Sequence, residues 1–238
     1  LMSFCDGTSC AHMPLVQDHK RAFDGDIGPN TGGMGTYSFA NHSLPFLSEK
    51  DVLEAQQANE RVALELYKQT GQRFRGILYG GFMLTKNGVK VIEYNARFGD
   101  PEAMNVLSIL ETDFLDICNA IVSGSIADLK ISFKNEATVC KYAVPSGYPN
   151  NPNKNFGVVC NPHDSNLYLA AVQKTAGKII ATGSRTAAFV GINKEIGEAE
   201  KLAEEGICRV GGDLFHRKDI GTKKLINLRT RNMRTLLG

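Results

Sequence analysis

The strongest constraint on the fold of this chain is a β-hairpin in its middle third. Residues 77–85 and 89–95 are rich in apolar, β-branched and aromatic side chains, and Asn87-Gly88 lies between them. Asn-Gly favours the positive φ angles of a type I′ turn, which joins two antiparallel strands tightly. The sequence therefore predicts two neighbouring strands, with the side chains of each alternating between the faces of a sheet.

The second strand of this hairpin carries a candidate metal-binding pair. Alternation places Glu93, Asn95 and, if the strand continues, Arg97 on one face. Ile92 and Tyr94 are then expected to face a core on the other side. Mg²⁺ prefers oxygen ligands such as a carboxylate and an amide, although the same alternation is more commonly a plain solvated face. Arg97 would add a fixed cation beside the pair, where it can bind a phosphate or a carboxylate.

Other elements can be predicted from their capping and turn signals. Residues 1–5 and 10–17 predict two strands around the Asp6-Gly7 turn, and residues 48–51 resemble a capping box that begins a helix to about residue 67. Asp100-Pro101 predicts a helix start, with Asp100 as the N-cap, and apolar spacing extends that helix to about residue 121. Further strands are expected at 137–144 and 178–192, and further helices at 194–205 and from about 222.

Length and composition limit how these elements are organised. The 238 residues are 42% hydrophobic and 22% charged, which is ordinary for one large or two small globular domains. The polar, irregular stretch 124–136 is the best candidate boundary, so we predict domains at 1–130 and 131–238. No apolar run approaches the roughly 18 residues that a membrane-spanning helix needs, and no membrane partner is expected.

Charge and cysteine usage bear on partners and location. The net charge of +2 does not favour a nucleic-acid partner, and the basic tail 217–234 is more often the solvated face of an amphipathic helix, here with Leu225, Leu228 and Leu236 turned inward. The six cysteines form no Cys-x-x-Cys pair, which predicts reduced thiols in a cytoplasmic protein.

A glycine-rich segment at 31–35 precedes the first predicted helix. Its sequence, Thr31-Gly32-Gly33-Met34-Gly35, offers backbone N–H groups with little side-chain bulk, so it can wrap an anion, although a plain turn is at least as common. It is not a Walker A loop, because no Gly-Lys-Ser/Thr follows. Upstream, Lys20 is either a phosphate partner acting as a mobile point charge or an ordinary surface lysine.

A set of short motifs resembles the phosphoribosylamine–glycine ligases, also called glycinamide ribonucleotide synthetases. Each motif is weak alone, but together they follow the family's order over nearly the whole chain, which makes the set specific. They are Gln17-Asp18-His19-Lys20-Arg21, Gly28-Pro29-Asn30-Thr31-Gly32-Gly33-Met34-Gly35, Arg97-Phe98-Gly99-Asp100-Pro101-Glu102-Ala103-Met104, and the segments 76–79, 84–88 and 215–221.

The resemblance implies a fold and a reaction. The fold is α+β: an ATP-grasp C-terminal lobe, with an antiparallel sheet and helices, followed by a smaller C-terminal α/β domain. The reaction is ligation of glycine to 5-phosphoribosylamine through glycyl phosphate, with ATP as co-substrate, giving glycinamide ribonucleotide, ADP and phosphate. The resemblance makes Glu93 and Asn95 the ligands of Mg²⁺ or Mn²⁺, although the preceding strand offers no further carboxylate.

The resemblance also implies roles for the residues around this pair. Lys20 and Arg97 are expected to be catalytic, supplying positive charge near the transferring phosphate. The glycine-rich segment 31–35, here named the glycine loop, and Asn30 are assigned to the part of the site that binds phosphoribosylamine or glycine. The expected substrate-binding residues are Asp18, Asn30, Thr31, Gly32, Gly33, Asp100 and Glu102.

The first residues and the absent motifs suggest a fragment. The chain begins Leu1-Met2 within a strand-like run. The family's N-terminal region and the lobe with the adenine pocket have no counterpart, so an upstream polypeptide is expected to complete the site. Three alternatives stay open: another ATP-grasp carboxylate–amine ligase of purine synthesis, a nucleotide-binding subunit inactive without that polypeptide, and RNA binding through the basic tail.

Overall fold

The structure of this protein is a computed structural model that describes residues 1–237. Short antiparallel strands dominate its architecture. The strands are β1 (Met2–Asp6), β2 (Cys10–His12), β3 (Gln17–Asp18), β4 (Arg21–Phe23), β5 (Ile27–Asn30), β6 (Gly35–Ser38), β7 (Arg75–Thr85), β8 (Gly88–Asn95), β9 (Ala137–Pro145), β10 (Gly157–Val158), β11 (Leu167–Leu169), β12 (Val172–Thr175), β13 (Lys178–Ala181), β14 (Ala187–Asn193) and β15 (Leu214–Phe215). The helices are α1 (Glu49–Thr70), α2 (Glu102–Leu107), α3 (Phe114–Ser123), α4 (Ile196–Cys208) and α5 (Lys223–Leu237). The predicted α+β class is confirmed.

The first sheet has the strand order β2-β1-β7-β8 and contains the predicted hairpin. In its register Thr85 pairs with Gly88 at the turn and Tyr79 pairs with Asn95 at the open end. The predicted strands around Asp6-Gly7 are also present, but β2 ends at His12. Residues 17–18 leave this sheet and form β3 in a second one.

A β-bulge in the hairpin changes the predicted alternation. Gly81 pairs with Glu93 and Phe82 pairs with Val91, so Ile92 is an extra residue on β8. Ile92 is 60% exposed, and the prediction that it faces a core is therefore wrong. Beyond the bulge the alternation holds over Glu93 and Asn95, which share a face.

Helix α1 begins at the predicted capping box. The Ser48 hydroxyl accepts a hydrogen bond from the Asp51 N–H, and the Asp51 carboxylate accepts one from the Ser48 N–H. The helix ends at Gly71 in the left-handed conformation, slightly beyond the predicted end. Buried Asn59 joins α1 to the first sheet by donating to the Ser3 hydroxyl at 2.8 Å.

The prediction of one long helix capped by Asp100 is wrong. Helix α2 is short, and no side-chain hydrogen bond caps its start at Pro101. A second helix, α3, begins at Asp113, whose carboxylate accepts a hydrogen bond from the Leu115 N–H at 2.7 Å. Between them the chain turns and Leu110 forms an isolated β-bridge with Phe133, and the Glu111 N–H donates to the Ser132 carbonyl instead of continuing a helix.

The second sheet joins the two halves of the chain. Its strand order is β11-β14-β9-β6-β3, with β15 beside β9. Strand β9 is buried along its whole length, and α4 covers it and β14. The close approach of α4 requires Gly191, because a Cβ there would lie 1.9 Å from the Ala199 carbonyl oxygen. Strands β3 and β6 precede residue 130 and share this sheet with β9 and β14, so the sheet crosses the predicted boundary. The division into 1–130 and 131–238 stays a prediction.

Two predictions in the C-terminal half need correction. Residues 178–192 form two strands in different sheets, β13 and β14, rather than one. In α5 Leu225 is buried as expected, but Leu228 and Leu236 are exposed. Among residues 1–237, no helix has both the length and the apolarity to cross a bilayer.

Arg217, at the start of the basic tail, is buried rather than solvated. Its guanidinium lies 2.8 Å from Asp26 and 2.7 Å from Asp219, and it also donates to the Arg21 carbonyl. Asp26 in turn binds Arg229 of α5 at 2.7 Å. These ion pairs hold the turn between β4 and β5 against the C-terminal segment.

We expect Arg217→Met to lower the free energy of unfolding by about 2 kcal/mol, because removing one partner of a buried ion pair leaves carboxylates uncompensated. Partial solvent access to Asp26 and Asp219 keeps the loss below that of a fully buried pair. Urea unfolding measures the change, with exposed Arg231→Met as the matched control. Equal urea midpoints for Arg217→Met and Arg231→Met would contradict the structural role.

Candidate functional site

A polar cleft of about 350 Å³ lies where the hairpin, the start of α2, the glycine loop and the β13–β14 connection meet. Residues that are distant in sequence converge there, and most of the predicted site residues are among them. The cleft is lined by Lys20, Gly32, Tyr79, Glu93, Arg97, Phe98, Asp100, Glu102 and Arg185.

Glu93 of the predicted metal pair lines one wall of the polar cleft, and Asn95 lies beside it without lining the cleft. The Asn95 amide nitrogen is 3.2 Å from Glu93 Oε1, so the two side chains converge as their shared face requires. Rotating the amide by 180° about its last torsion would bring its oxygen to the same place. The residue opposite Glu93 on β7 is Gly81, which leaves open space beside the carboxylate. A carboxylate and an amide oxygen with room around them fit a hard divalent cation.

Arg97 extends this wall although β8 ends at Asn95. Its guanidinium donates to the Asn95 side-chain oxygen at 3.3 Å and to the Phe98 carbonyl at 2.8 Å. Arg97 is exposed and lines the polar cleft, so donors remain available to an anion. Arg97 therefore lies just beyond Asn95 along the chain, and its action on a phosphate stays a prediction.

Lys20 and Asp18 form an ion pair at another wall. Lys20 Nζ lies 2.6 Å from Asp18 Oδ2, and the lysine side chain is half exposed to the polar cleft. Burial and the nearby Glu102 carboxylate raise the pKa of Asp18 to about 6, and the Lys20 ammonium only partly offsets this rise. The Asp18 carboxylate is therefore held in its charged form at an energetic cost, in a position that orients Lys20.

The glycine loop approaches this pair closely at Gly33. Gly33 has a φ of +119°, and a Cβ there would lie 2.8 Å from Pro101 and 3.0 Å from an Asp18 oxygen. Only glycine avoids both the strain and the clash. Thr31 binds the loop to the neighbouring backbone, because its hydroxyl donates to the Lys20 carbonyl and accepts from the Gly33 N–H.

Asn30 and Thr31 do not line the polar cleft, although both were predicted to bind substrate. Asn30 is exposed at the end of β5, where it pairs with Arg21. Thr31 acts on the conformation of the loop rather than on the surface of the cleft. Gly32, by contrast, lines the cleft directly.

Asp100 holds a network that the sequence did not reveal. Its carboxylate accepts a hydrogen bond from the Tyr142 hydroxyl at 2.8 Å and pairs with Arg185 at 2.8 Å. The Arg185 guanidinium also donates to the carbonyls of Gly32 and Asp100, at 2.9 and 2.7 Å, and stacks over the Tyr142 ring at 4.7 Å. Arg185 thus connects the glycine loop to the turn before α2.

Sequence reasoning missed Arg185 and Tyr142, and no local signal marks either of them. Arg185 lies in a short turn between β13 and β14, and Tyr142 lies within the buried strand β9. Their relation to Asp100 exists only because the second sheet brings both next to α2.

Glu102 lies in the first turn of α2 and lines the polar cleft. It is buried, and its Oε1 accepts a hydrogen bond from the Tyr79 hydroxyl at 2.5 Å. Burial and the Glu102 carboxylate raise the pKa of Tyr79 above its ordinary range, so the phenol stays a donor. Tyr79 was not predicted as a site residue. Its hydroxyl fixes the position of the Glu102 carboxylate, and both residues line the polar cleft.

Comparison with known families supports the resemblance drawn from the motifs. Residues 1–103 match the family model described as phosphoribosylglycinamide synthetase, ATP-grasp (A) domain. Residues 138–223 match the model described as phosphoribosylglycinamide synthetase, C domain. The two models together cover most of the chain, and the predicted ATP-grasp fold is confirmed.

Individual relatives give the same result. The chain is 50% identical to a phosphoribosylamine–glycine ligase of Methanosarcina barkeri, covering 100% of this chain and 55% of the relative. It is 47% identical to that of Methanocaldococcus jannaschii, covering 99% of this chain and 54% of the relative. The chain therefore spans about half the length of the curated relatives it matches.

Solved structures are similar in fold. The crystal structure of phosphoribosylamine–glycine ligase from Thermotoga maritima matches with a TM-score of 0.79 and 28% identity, over 92% of this chain and 54% of that one. A biotin carboxylase from Campylobacter jejuni matches with a TM-score of 0.58 and 12% identity, over 98% of this chain and 48% of that one, which is a likeness of fold alone.

Proposed function

Because the chain belongs to the phosphoribosylglycinamide synthetase family, we propose that it takes part in ATP-dependent ligation of glycine to 5-phosphoribosylamine. In this reaction the glycine carboxylate attacks the γ-phosphate of ATP, and the amine of 5-phosphoribosylamine then attacks the resulting glycyl phosphate. The products are glycinamide ribonucleotide, ADP and phosphate. The chain spans about half of its relatives, so the proposal concerns its share of that reaction.

One observation carries the proposal: a cleft whose walls have the carboxylate of Glu93, a half-exposed lysine and an exposed arginine. Glu93 provides the negative charge that a divalent cation needs, and Lys20 and Arg97 provide positive charge for phosphate oxygens. Phosphoryl transfer depends mainly on positioning and on neutralising the charge that spreads over the transferred group. This combination of charges supports that chemistry.

Glu93 and Asn95 would hold the metal, and we propose Mg²⁺ or Mn²⁺ because both donors are oxygens. A bound divalent cation supplies Lewis-acid stabilisation of phosphate oxygens. Arg97 donates to the Asn95 oxygen in the orientation seen here, so turning that oxygen towards Glu93 to hold a metal would release this Arg97 N–H, and the guanidinium would offer it to an anion.

The opposite wall is proposed to hold the acceptor substrates. Lys20 would meet the phosphate of ATP or of the acyl phosphate, and Asp18 would orient Lys20 through their ion pair. Gly32 lines the polar cleft, Gly33 lets the loop pack against Pro101 and Asp18, and Asn30 and Thr31 would act from behind that loop. Asp100 and Glu102, which line the polar cleft, are proposed to bind substrate amine or hydroxyl groups.

The matched lengths bear on what else the reaction needs. The relatives extend over nearly twice this chain, and we propose that a further polypeptide completes the ATP site. Within the chain, residues 1–130 would contribute as the ATP-grasp C-terminal lobe and residues 131–238 as the C-terminal domain, with Arg185 as the contact between them at the polar cleft.

The deciding experiment is glycine- and 5-phosphoribosylamine-dependent release of ADP. The chain is assayed alone and supplemented with the part of its relatives that it does not span. We expect ADP release with the supplement and with both substrates present. Turnover of another carboxylate in place of glycine would assign a different ligase of purine synthesis. ATP binding without turnover under every condition would favour a nucleotide-binding subunit.

Arg185→Lys tests the residue that sequence reasoning missed. Lysine keeps the charge but cannot bind the Asp100 carboxylate, the Asp100 carbonyl and the Gly32 carbonyl at the same time. We expect kcat/KM for glycine to fall about tenfold or more, because the glycine loop and the turn before α2 lose their connection. Steady-state kinetics measures the effect, with exposed Arg231→Lys as control. An unchanged kcat/KM would remove Arg185 from the site.

A further inference from the structure

Two cysteines that the proposed reaction does not use face each other across the first sheet. Cys5 of β1 and Cys10 of β2 are direct partners in the strand register. The Asp6 N–H donates to the Ser9 carbonyl, and the Met13 N–H donates to the Met2 carbonyl. Because hydrogen-bonded pairs alternate along antiparallel strands, Cys5 and Cys10 form a non-hydrogen-bonded pair, the kind with the closest side chains.

The two sulfur atoms are in contact. Cys5 Sγ and Cys10 Sγ lie 3.0 Å apart, and closing a bond of about 2.05 Å needs only a small side-chain movement. Both thiols lie on the face of the hairpin that also carries Ser3 and His12, which hydrogen-bond to each other at 2.8 Å. The pair is therefore held together by strand register and not by chance rotamers at a surface.

The two thiols have different environments, which suits a two-step reaction. Cys5 is fully buried, whereas Cys10 is partly exposed. A hydrogen bond from the Cys5 thiol lowers the pKa of Cys10, and the same contact together with burial raises the pKa of Cys5. Cys10 is thus the more accessible and the more readily ionised of the two thiols, although burial and the Glu60 and Asp6 carboxylates oppose its ionisation, and Cys5 lies behind it.

Three of the four remaining thiols contrast with this pair. Burial raises the pKa of Cys140, Cys160 and Cys208, which lowers their thiolate fraction. Cys208 is exposed but contacts the Glu204 carboxylate, and that negative charge further opposes ionisation. If exposure alone set the reactivity, Cys208 would react first. If the contact between the paired thiols sets it, Cys10 reacts first, so an experiment can distinguish the two.

We propose that Cys5 and Cys10 form a redox-active dithiol whose substrate is a hydroperoxide. The Cys10 thiolate attacks one oxygen of the peroxide, the O–O bond breaks, and the alkoxide or hydroxide released takes a proton from solvent. Cys10 is then a sulfenic acid. The Cys5 sulfur attacks Cys10 Sγ, the S–S bond forms, and the hydroxyl leaves with the Cys5 proton as water. Two electrons pass from the dithiol to the peroxide, and an external thiol reductant restores the pair.

The bond would form beside the strand that supports the proposed site. β1 lies between β2 and β7, its Leu1 carbonyl accepts from the Gly80 N–H, and the Met2 sulfur accepts from the Gly99 N–H. A disulfide closing the β1–β2 turn restricts the unfolded chain, so the oxidised protein should unfold at a higher temperature. This inference does not depend on the proposed ligase function.

The test treats the full chain with hydrogen peroxide and follows the peptide that contains both cysteines by mass spectrometry. We expect this peptide to lose two hydrogens about tenfold faster than Cys208 is oxidised, and dithiothreitol to reverse the loss. The unfolding temperature should rise with the same time course.

Matched variants keep the proposal falsifiable. Cys10→Ser should abolish the two-hydrogen loss, and Cys208→Ser should leave it unchanged. In Cys5→Ala a sulfenic acid should accumulate at Cys10 and be trapped by dimedone. If the buried alanine prevents folding, Cys10→Ser at the partly exposed position supplies the test alone. Faster oxidation of Cys208, or sulfinic acid at Cys10 with Cys5 still free, overturns the proposal.

Discussion

Glu93→Gln should lower metal-dependent ADP release more than about a hundredfold, because the exchange removes the one negative charge of the proposed metal pair and Lewis-acid stabilisation contributes several kcal/mol. The fold should be unaffected, since Glu93 is exposed and faces Gly81 across the hairpin. A second readout is independent of turnover: the dissociation constant for Mn²⁺, measured by electron paramagnetic resonance, should rise at least about tenfold.

The matched control is Glu205→Gln, the same chemical change on the exposed surface of α4. It should leave ADP release and Mn²⁺ binding at wild-type values. Glu93→Gln protein with normal Mn²⁺ affinity and normal activity would remove Glu93 from the metal site. Loss of activity with normal Mn²⁺ affinity would assign Glu93 to substrate instead.

Asp18→Asn should make the protein more stable and less active. The Asp18 carboxyl has a pKa of about 6 in the folded protein against 3.8 as its ordinary value, because burial and Glu102 disfavour its charge. Each pKa unit corresponds to about 1.4 kcal/mol, and the pKa of about 6 already includes the attraction of Lys20, so at pH 8 the neutral amide should stabilise the fold by about 3 kcal/mol. Activity should fall about tenfold or more, because Lys20 loses the carboxylate that orients it.

The pH dependence follows from the direction of this shift. Below pH 3.8 Asp18 is protonated in both the folded and the unfolded chain, and its contribution to stability is fully present. As pH rises towards 6 the unfolded chain releases its proton first, so the contribution is lost progressively and then stays lost. The advantage of Asp18→Asn should therefore vanish near pH 4 and reach its full size above pH 6.

Urea unfolding at pH 4 and pH 8 measures this difference. Exposed Asp128→Asn is the control and should show no pH-dependent gain. Equal stability of Asp18→Asn and wild type at pH 8 would show that the buried carboxylate carries no cost. Full activity in the variant would place Asp18 outside the site.

Much of the local structure could be predicted because its causes are local. Asn87-Gly88 specifies the hairpin through its turn angles, and the Ser48 capping box specifies the start of α1. The same reasoning failed at Asp100, where a carboxylate next to Pro101 resembles a helix cap. The failure has a physical cause: Arg185 and Tyr142 offer Asp100 stronger partners than the backbone of α2 does.

The bulge at Ile92 shows another limit. The alternation along β8 is interrupted because its register against β7 shifts, and the sequence of β8 alone does not encode that shift. Glu93 and Asn95 remained on one face only because the extra residue precedes both of them.

The sequence by itself determined the local elements, the family resemblance and the identity of the proposed metal pair, because turn angles, caps and short motifs depend on neighbours in the chain. Only the tertiary structure decided which distant residues share the polar cleft. The second sheet pairs β6 with β9 and brings Arg185 to the glycine loop, 153 residues away in the chain. Such contacts depend on strand register and on compensation of buried charge, and neither is encoded in a local pattern.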